Sequence, residues 1–247
     1  MSMQVYKAKV AEHQLLSGSF QYLHLELLQP HRIEFQAGQY AIVTIDPKKG
    51  IKRNYSIASL PSMDHAIELL VDVKPGGDGS RYLANLKPGD EVEFAGPFGS
   101  FVVQSPITNH QSPELLFAAT GSGISAVRSM ILDQLITRKF IGKIRLWWGM
   151  RYAQDCFWIE DFDELEEENP NFEWDLILSK APDDWPLHAG HVTPHVLTYV
   201  RTQNSKLKTQ NDTSFYLCGN RFMIEEVSTE LVKLGITAER IHSEKFF

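Results

Sequence analysis

Apolar and polar positions alternate in short runs through the first hundred residues. The runs are QVYKAKV, YLHLELL, QYAIVTI, RNYSIAS, AIELLVDV and DEVEFAG. A period of two places every second side chain on one face, which is the signature of half-buried strands. Turn-forming stretches such as QAGQ, DPKKG and KPGD separate them. Six strands spaced in this way predict an antiparallel β-barrel or sandwich. One short helix, SRYLANL, is expected after the glycines of PGGDGS.

The stretch 103–113, VQSPITNHQSP, is polar, carries two prolines and reads as a linker. Beyond it the period changes. ELLFAAT, KIRLWWGM, FEWDLILS, SFYLCGN and RIHSEKFF read as strands. Between them SAVRSMILDQLITRK, IEDFDELEEEN, TPHVLTYVRTQ and RFMIEEVSTELVKLG have helical spacing, the third with Thr193 as its cap and Pro194 at its first position. Strands alternating with helices imply a parallel sheet with helices on both faces. The expected class is therefore two-domain β plus α/β. A six-stranded antiparallel barrel over residues 1–105 precedes a doubly wound parallel α/β domain over 113–247.

Composition narrows the function. The 247 residues carry a net charge of −7, which argues against broad nucleic-acid or anionic-membrane binding. No apolar run approaches the ~20 residues needed to cross a bilayer, and MSMQVYKAKV lacks the apolar core of a signal peptide. A cytoplasmic protein with neither nucleic-acid nor membrane partners is expected. The acidic run EDFDELEEEN reads as a solvated helix face. Two cysteines, Cys156 and Cys218, are too few for an iron–sulfur cluster of the usual four-thiolate kind.

Two motifs carry candidate chemistry. In FAATGSGISAVRSM, Gly121, Gly123 and Ala126 stand between a strand and a helix, matching G-x-G-x-x-[G/A] in the context that gives it meaning. Glycines let a backbone approach a pyrophosphate, and the following helix start offers free N–H groups. The acid that usually closes the second strand and holds the adenosine ribose is missing; WWGMR ends in Arg151 instead. The second motif is RNYSIAS, where Arg53 and Tyr55 point to one side of a strand and Asn54 and Ser56 to the other. A cation, a flat aromatic and small hydroxyls suit a planar ligand bearing phosphate.

These pieces, in this order, resemble the ferredoxin–NADP reductase superfamily over nearly the whole chain. The resemblance rests on Arg53, Tyr55 and Ser56, on Gly77, Gly79 and Ser80, on GPFGSF, ATGSGIS, WGMR, GHVT and CGNRFMI, and on the C-terminal aromatic. It implies an FAD-dependent oxidoreductase that transfers a hydride from NAD(P)H to flavin. Electrons would pass to a separate acceptor such as a ferredoxin, a flavodoxin or a small molecule. Alternatives are an NAD(P)H:flavin reductase using free flavin, and a non-catalytic subunit of a larger redox complex. Arg53 would pair with the flavin phosphates, Tyr55 stack on the ring system and Ser56 bond near its reactive edge. Gly79 and Ser80 would meet the pyrophosphate. Phe246 or Phe247 would cover the flavin, with Glu244 nearby. Thr120, Gly121, Ser122 and Gly123 would border the nicotinamide nucleotide, with Gly219, Asn220 and Met223 on the opposite lip. Cys218 is read either as a small buried residue or as a thiol close to the transfer position. A Ser-Arg pair often reads the NADP 2′-phosphate in the family; here Ser179 and Lys180 stand in that region, and Arg151 is a second candidate.

His188, His191 and His195 invite a metal reading, but Pro194 separates His191 from the face of His195 and no cysteine is near, so no metal is expected. Trp147, Trp148 and Trp174 read as sheet packing.

Overall fold

The computed structural model describes residues 4–104, 114–203 and 213–246. They divide into two compact units. One comprises Met1–Val103 with Arg128–Arg138, the other Gln104–Val127 with Lys139–Phe247. The expected linker falls almost wholly on residues outside those described.

In the first unit the described strands are β1 (Val5–Ser17), β2 (Phe20–Gln29), β3 (Tyr40–Asp46), β4 (Ile51–Ser56), β5 (Ala66–Asp72) and β6 (Glu91–Phe98). They form a six-stranded sheet in the order β4-β3-β6-β1-β2-β5, antiparallel throughout. Alternation buries Tyr6, Ala8 and Val10 of β1 and Leu23, Leu25 and Leu27 of β2 against Val43, Ile67, Leu69 and Phe94. Strand β4 differs: Lys52, Arg53 and Asn54 are exposed and Tyr55 is half-buried. Just past β4, Ile57 bridges Leu69, and the Ala58 N–H donates to the Glu68 carbonyl at 2.9 Å. Helix α1 (Asp78–Ala84) begins two residues before the expected SRYLANL, with Gly77 at its N-cap.

In the second unit β7 (Glu114–Thr120), β8 (Lys143–Met150), β9 (Phe172–Leu178), β10 (His188–Ala189), β11 (Thr213–Asn220) and β12 (Ile241–Phe246) form a parallel sheet ordered β10-β9-β8-β7-β11-β12. Helix α2 (Ile124–Leu132) follows β7; from Arg128 onward it, and the π-helical stretch Asp133–Thr137 that continues it, belong to the first unit. Helices α4 (Val192–Thr202) and α5 (Arg221–Lys233) bury Val192, Val196, Ile224 and Val227 against Leu116, Trp147, Ile177 and Leu217 on one sheet face. Phe162 of α3 (Ile159–Glu168) packs against Trp148, Phe172 and Trp174, which point the other way by the strand alternation. Strand β10 was not anticipated; two residues carry no periodicity. Helix α4 starts two residues before the expected Pro194. His191 stands at its N-cap without a side-chain bond, while the hydroxyl of Thr193 donates to Glu226 at 2.7 Å instead of capping. Among the described residues no helix is long and apolar enough to cross a membrane.

Candidate functional site

In the first unit the side chains of β4 and the start of α1 converge. A Cβ built on Gly79 would lie 2.5 Å from the Tyr55 hydroxyl and 2.8 Å from Cγ of Arg53. Only a bare backbone fits there, so the peptide at Gly79 lies directly against the arginine stem and the phenol. The first intrahelical bond of α1 is from the Arg81 N–H to the Gly77 carbonyl, at 3.0 Å, so the N–H groups of Asp78, Gly79 and Ser80 have no acceptor inside the helix. Ser80 is buried, and its hydroxyl donates to the Gly77 carbonyl at 3.1 Å from within the first turn; it is not the cap. Arg53 is exposed, with Nη1 donating to the Lys52 carbonyl at 2.8 Å and Nη2 4.0 Å from Asp78. Burial pushes the Tyr55 phenol up to about 12, against the opposing charge of Arg53. Ser56 is buried at the end of β4. A cation, a phenol kept neutral and a crowded glycine backbone together suit a phosphate-bearing flavin.

In the second unit the glycine turn and the CGN segment meet although they are about a hundred residues apart. The Asn220 N–H donates to Oγ1 of Thr120 at 2.8 Å. The Asn220 side chain turns the other way and accepts from the N–H groups of Phe222 and Met223 at 2.8 and 3.4 Å, capping α5. Gly219 has φ +122°, a conformation side-chain-bearing residues rarely adopt, and a Cβ there would run into Thr120. A Cβ on Gly123 would lie 2.5 Å from the Cys218 carbonyl oxygen. Gly121 is left-handed too, with φ +53°, and its carbonyl accepts from the Trp148 indole at 3.3 Å. Trp148, read from sequence as packing alone, therefore also pins the turn.

The remaining residues divide. Arg151 and Lys180 come together where β8 and β9 end: the Lys180 N–H donates to the Arg151 carbonyl at 2.9 Å. Both side chains are exposed. Ser179 sits beside them, donating to the Met150 carbonyl. The Arg151 guanidinium lies 5.3 Å from the centre of the Tyr152 ring. Ser122 lies in the short 3₁₀ turn and its carbonyl accepts from Ser125 at 2.8 Å. The Met223 side chain is in the core beneath α5. Cys218 is wholly buried and pairs in register with Glu244. Burial, with a smaller push from Glu244, holds its thiol well above the ordinary range. Phe246 ends β12; its side chain, and Phe247 entirely, fall outside the described residues. His188 pairs with Asp175 at 3.2 Å and its ring meets His195 at 4.9 Å. Among the described residues no group of three or more His, Cys, Asp or Glu side chains is arranged to hold a metal.

Residues 7–103 match the oxidoreductase FAD-binding domain and residues 117–229 the oxidoreductase NAD-binding domain. The chain is 34% identical over 206 residues to the F subunit of the Na(+)-translocating NADH-quinone reductase of Methylococcus capsulatus, covering 78% of this chain and 49% of that protein. To the corresponding Neisseria meningitidis protein it is 33% identical over 224 residues, covering 86% of this chain and 53% of that one. It thus spans about half the length of these relatives. Among solved structures, the Amycolatopsis cytochrome P450 reductase GcoB superposes with a TM-score of 0.85 at 28% identity, covering 99% of this chain and 70% of that one. The ferredoxin reductase in carbazole 1,9a-dioxygenase shares the fold, with a TM-score of 0.83 at 21% identity, covering 100% of this chain and 70% of that one. With an FAD-binding and an NAD-binding oxidoreductase domain in succession, the chain belongs to the ferredoxin–NADP reductase superfamily of flavoprotein reductases.

Proposed function

We propose that this chain binds FAD in a domain over residues 1–105 and NAD(P)H in a domain over 113–247, moves a hydride from the nicotinamide to the flavin, and passes electrons to a separate acceptor. The observation that carries the reading is the closed cradle at Gly79, walled by Arg53 and Tyr55. The Ile57–Leu69 bridge supports a first-unit sheet rolled into a barrel, which keeps β4 facing α1.

Bound FAD supplies a two-electron acceptor that can release electrons singly. The protein's own groups bind and orient. Arg53 neutralises a flavin phosphate, helped by the peptide N–H groups at Gly79 and Ser80. Tyr55, neutral at working pH, would stack on the ring system, and the buried Ser56 hydroxyl would bond near its reactive edge. Thr120, held by the Asn220 N–H, aligns the turn Gly121–Gly123, whose backbone faces the nucleotide. Cys218 stays protonated at neutral pH and serves as a compact neutral wall beside Glu244.

The backbone bond that joins Lys180 to Arg151 at the ends of β8 and β9 supports a contact of these cations with a 2′-phosphate, which would favour NADPH. The relatives' name, NADH-quinone reductase, supports NADH. That they are subunits also supports a protein assembly as the electron acceptor over a free small molecule. Anaerobic mixing with NADH and with NADPH, followed through the visible absorbance of the oxidised flavin, tests the reading. Bleaching with at least one nucleotide is expected. A flavin-loaded protein that neither nucleotide reduces would overturn it.

A further inference from the structure

One anion already occupies the neighbourhood of the cradle. Asp78, the residue before Gly79, accepts from Nη2 of Arg81 at 2.8 Å through Oδ1, and its Oδ2 lies 4.0 Å from Nη2 of Arg53. Arg81 also donates to the Gly76 carbonyl through Nη1. Two guanidinium groups therefore share one carboxylate. The three side chains are about half exposed, at 50% for Arg53, 49% for Asp78 and 63% for Arg81. The carboxylate is thus free to change partners without leaving water.

A carboxylate here works against the ligand the cradle suits. It halves the local positive charge, repels an incoming diphosphate and competes with it for Arg53. The short, well-formed contact is to Arg81 and the long one is to Arg53, so Arg53 is the cation more readily released. We propose that Asp78 is an internal competitor for the flavin phosphates. It engages Arg53 while the cradle lacks a phosphate, yields it when one enters, and so sets how tightly this chain retains its flavin. The proposal rests on the reading of Arg53 and Gly79 as the phosphate cradle. It bears on whether flavin is a resident cofactor or an exchangeable one.

The test uses the full chain freed of flavin and titrated with FAD and with riboflavin, following flavin fluorescence, in parallel with Asp78→Asn and Arg53→Ala. Riboflavin lacks phosphate and reports on the ring site alone. Asp78→Asn keeps the side chain's shape and removes only its charge, and an unchanged melting temperature verifies the fold. The expected result is FAD binding about three- to fivefold tighter in Asp78→Asn, the range an exposed ion pair commands, with riboflavin affinity unchanged. The gain should shrink as salt rises. Unchanged or weaker FAD binding in Asp78→Asn overturns the proposal, as does an equal gain for riboflavin. Arg53→Ala separates the two ideas: if it weakens FAD while Asp78→Asn does nothing, the cradle stands and the competitor falls. If Arg53→Ala leaves FAD affinity unchanged, the cradle itself is wrong.

Discussion

The two units each present a glycine against a crowded wall, but the walls differ. At Gly79 the neighbours are the tip of Tyr55 and the stem of Arg53, both side chains. At Gly123 the neighbours are the carbonyl of Cys218 and the N–H of Gly219, both backbone. The first site is built from charges and rings on an exposed strand. The second is built from main chain, locked by the Thr120–Asn220 bond and the Trp148 indole. A charged, side-chain site suits a ligand whose affinity is to be tuned. A rigid backbone site suits one that must enter the same geometry at every turnover.

Substitutions at the two glycines sharpen this contrast most. Gly123→Ala has no room to relax and should lose ~1–3 kcal/mol of stability to overpacking, together with most NAD(P)H affinity. Gly79→Ala should cost less stability than Gly123→Ala and lose FAD affinity, because the groups it displaces are those proposed to hold the ligand. Thermal melts and separate nucleotide and flavin titrations check both. If Gly79→Ala unfolds the protein while Gly123→Ala is tolerated, the comparison is reversed.

Arg53→Ala would remove the proposed charge-assisted phosphate contact, worth roughly 1.5–3 kcal/mol. The dissociation constant for FAD should rise about 10- to 100-fold, and the rate of flavin reduction at saturating FAD should change far less. A larger loss in rate than in affinity would move Arg53 from holding the cofactor to the chemistry.

A smaller and more selective effect is expected where β8 and β9 end. Lys180→Ala or Arg151→Ala should raise KM for NADPH, with a loss of ~1–3 kcal/mol for one ionic contact, and leave KM for NADH nearly unchanged. Equal changes for the two nucleotides would assign these cations to the shared pyrophosphate or to structure.

The smallest effect concerns the thiols. Burial pushes Cys156 up to about 11, with Asp155 adding to it, and drives Cys218 well up in the same direction. Both pKa values are raised, so the protonated thiol persists throughout the neutral range, and only the thiolate reacts. At about pH 8, just below the ordinary thiol pKa, a disulfide-exchange reagent such as DTNB should label the folded protein slowly, and the unfolded protein fast. Rapid labelling that persists in a Cys156→Ser variant in the native state would break the reading of Cys218 as a neutral wall.

Much of this was legible in the chain. Alternation located the strands of the first unit, and the change to helical spacing after residue 113 located the second. ELLFAAT and KIRLWWGM became β7 and β8 residue for residue. The glycine turn could be read because its meaning is local: strand, glycines and helix are consecutive. Helix starts were harder. Thr193 looked like a cap, yet Glu226 on another helix takes its hydroxyl, and no local rule sees that partner.

What only the tertiary structure decided are the pairings made at long separation. Two-residue β10 exists because His188 and Ala189 fall beside Ile177 and Leu178 at the sheet edge. Asp78 matters because α1 brings it to Arg53, and Trp148 because β8 runs beside β7 and carries its indole to Gly121. Residue type and spacing along the chain set the period of burial, and hence which elements form. Which side chains then share a carboxylate or a carbonyl depends on sheet order and register, and those are chosen by the packing of the whole core rather than by any segment's own pattern.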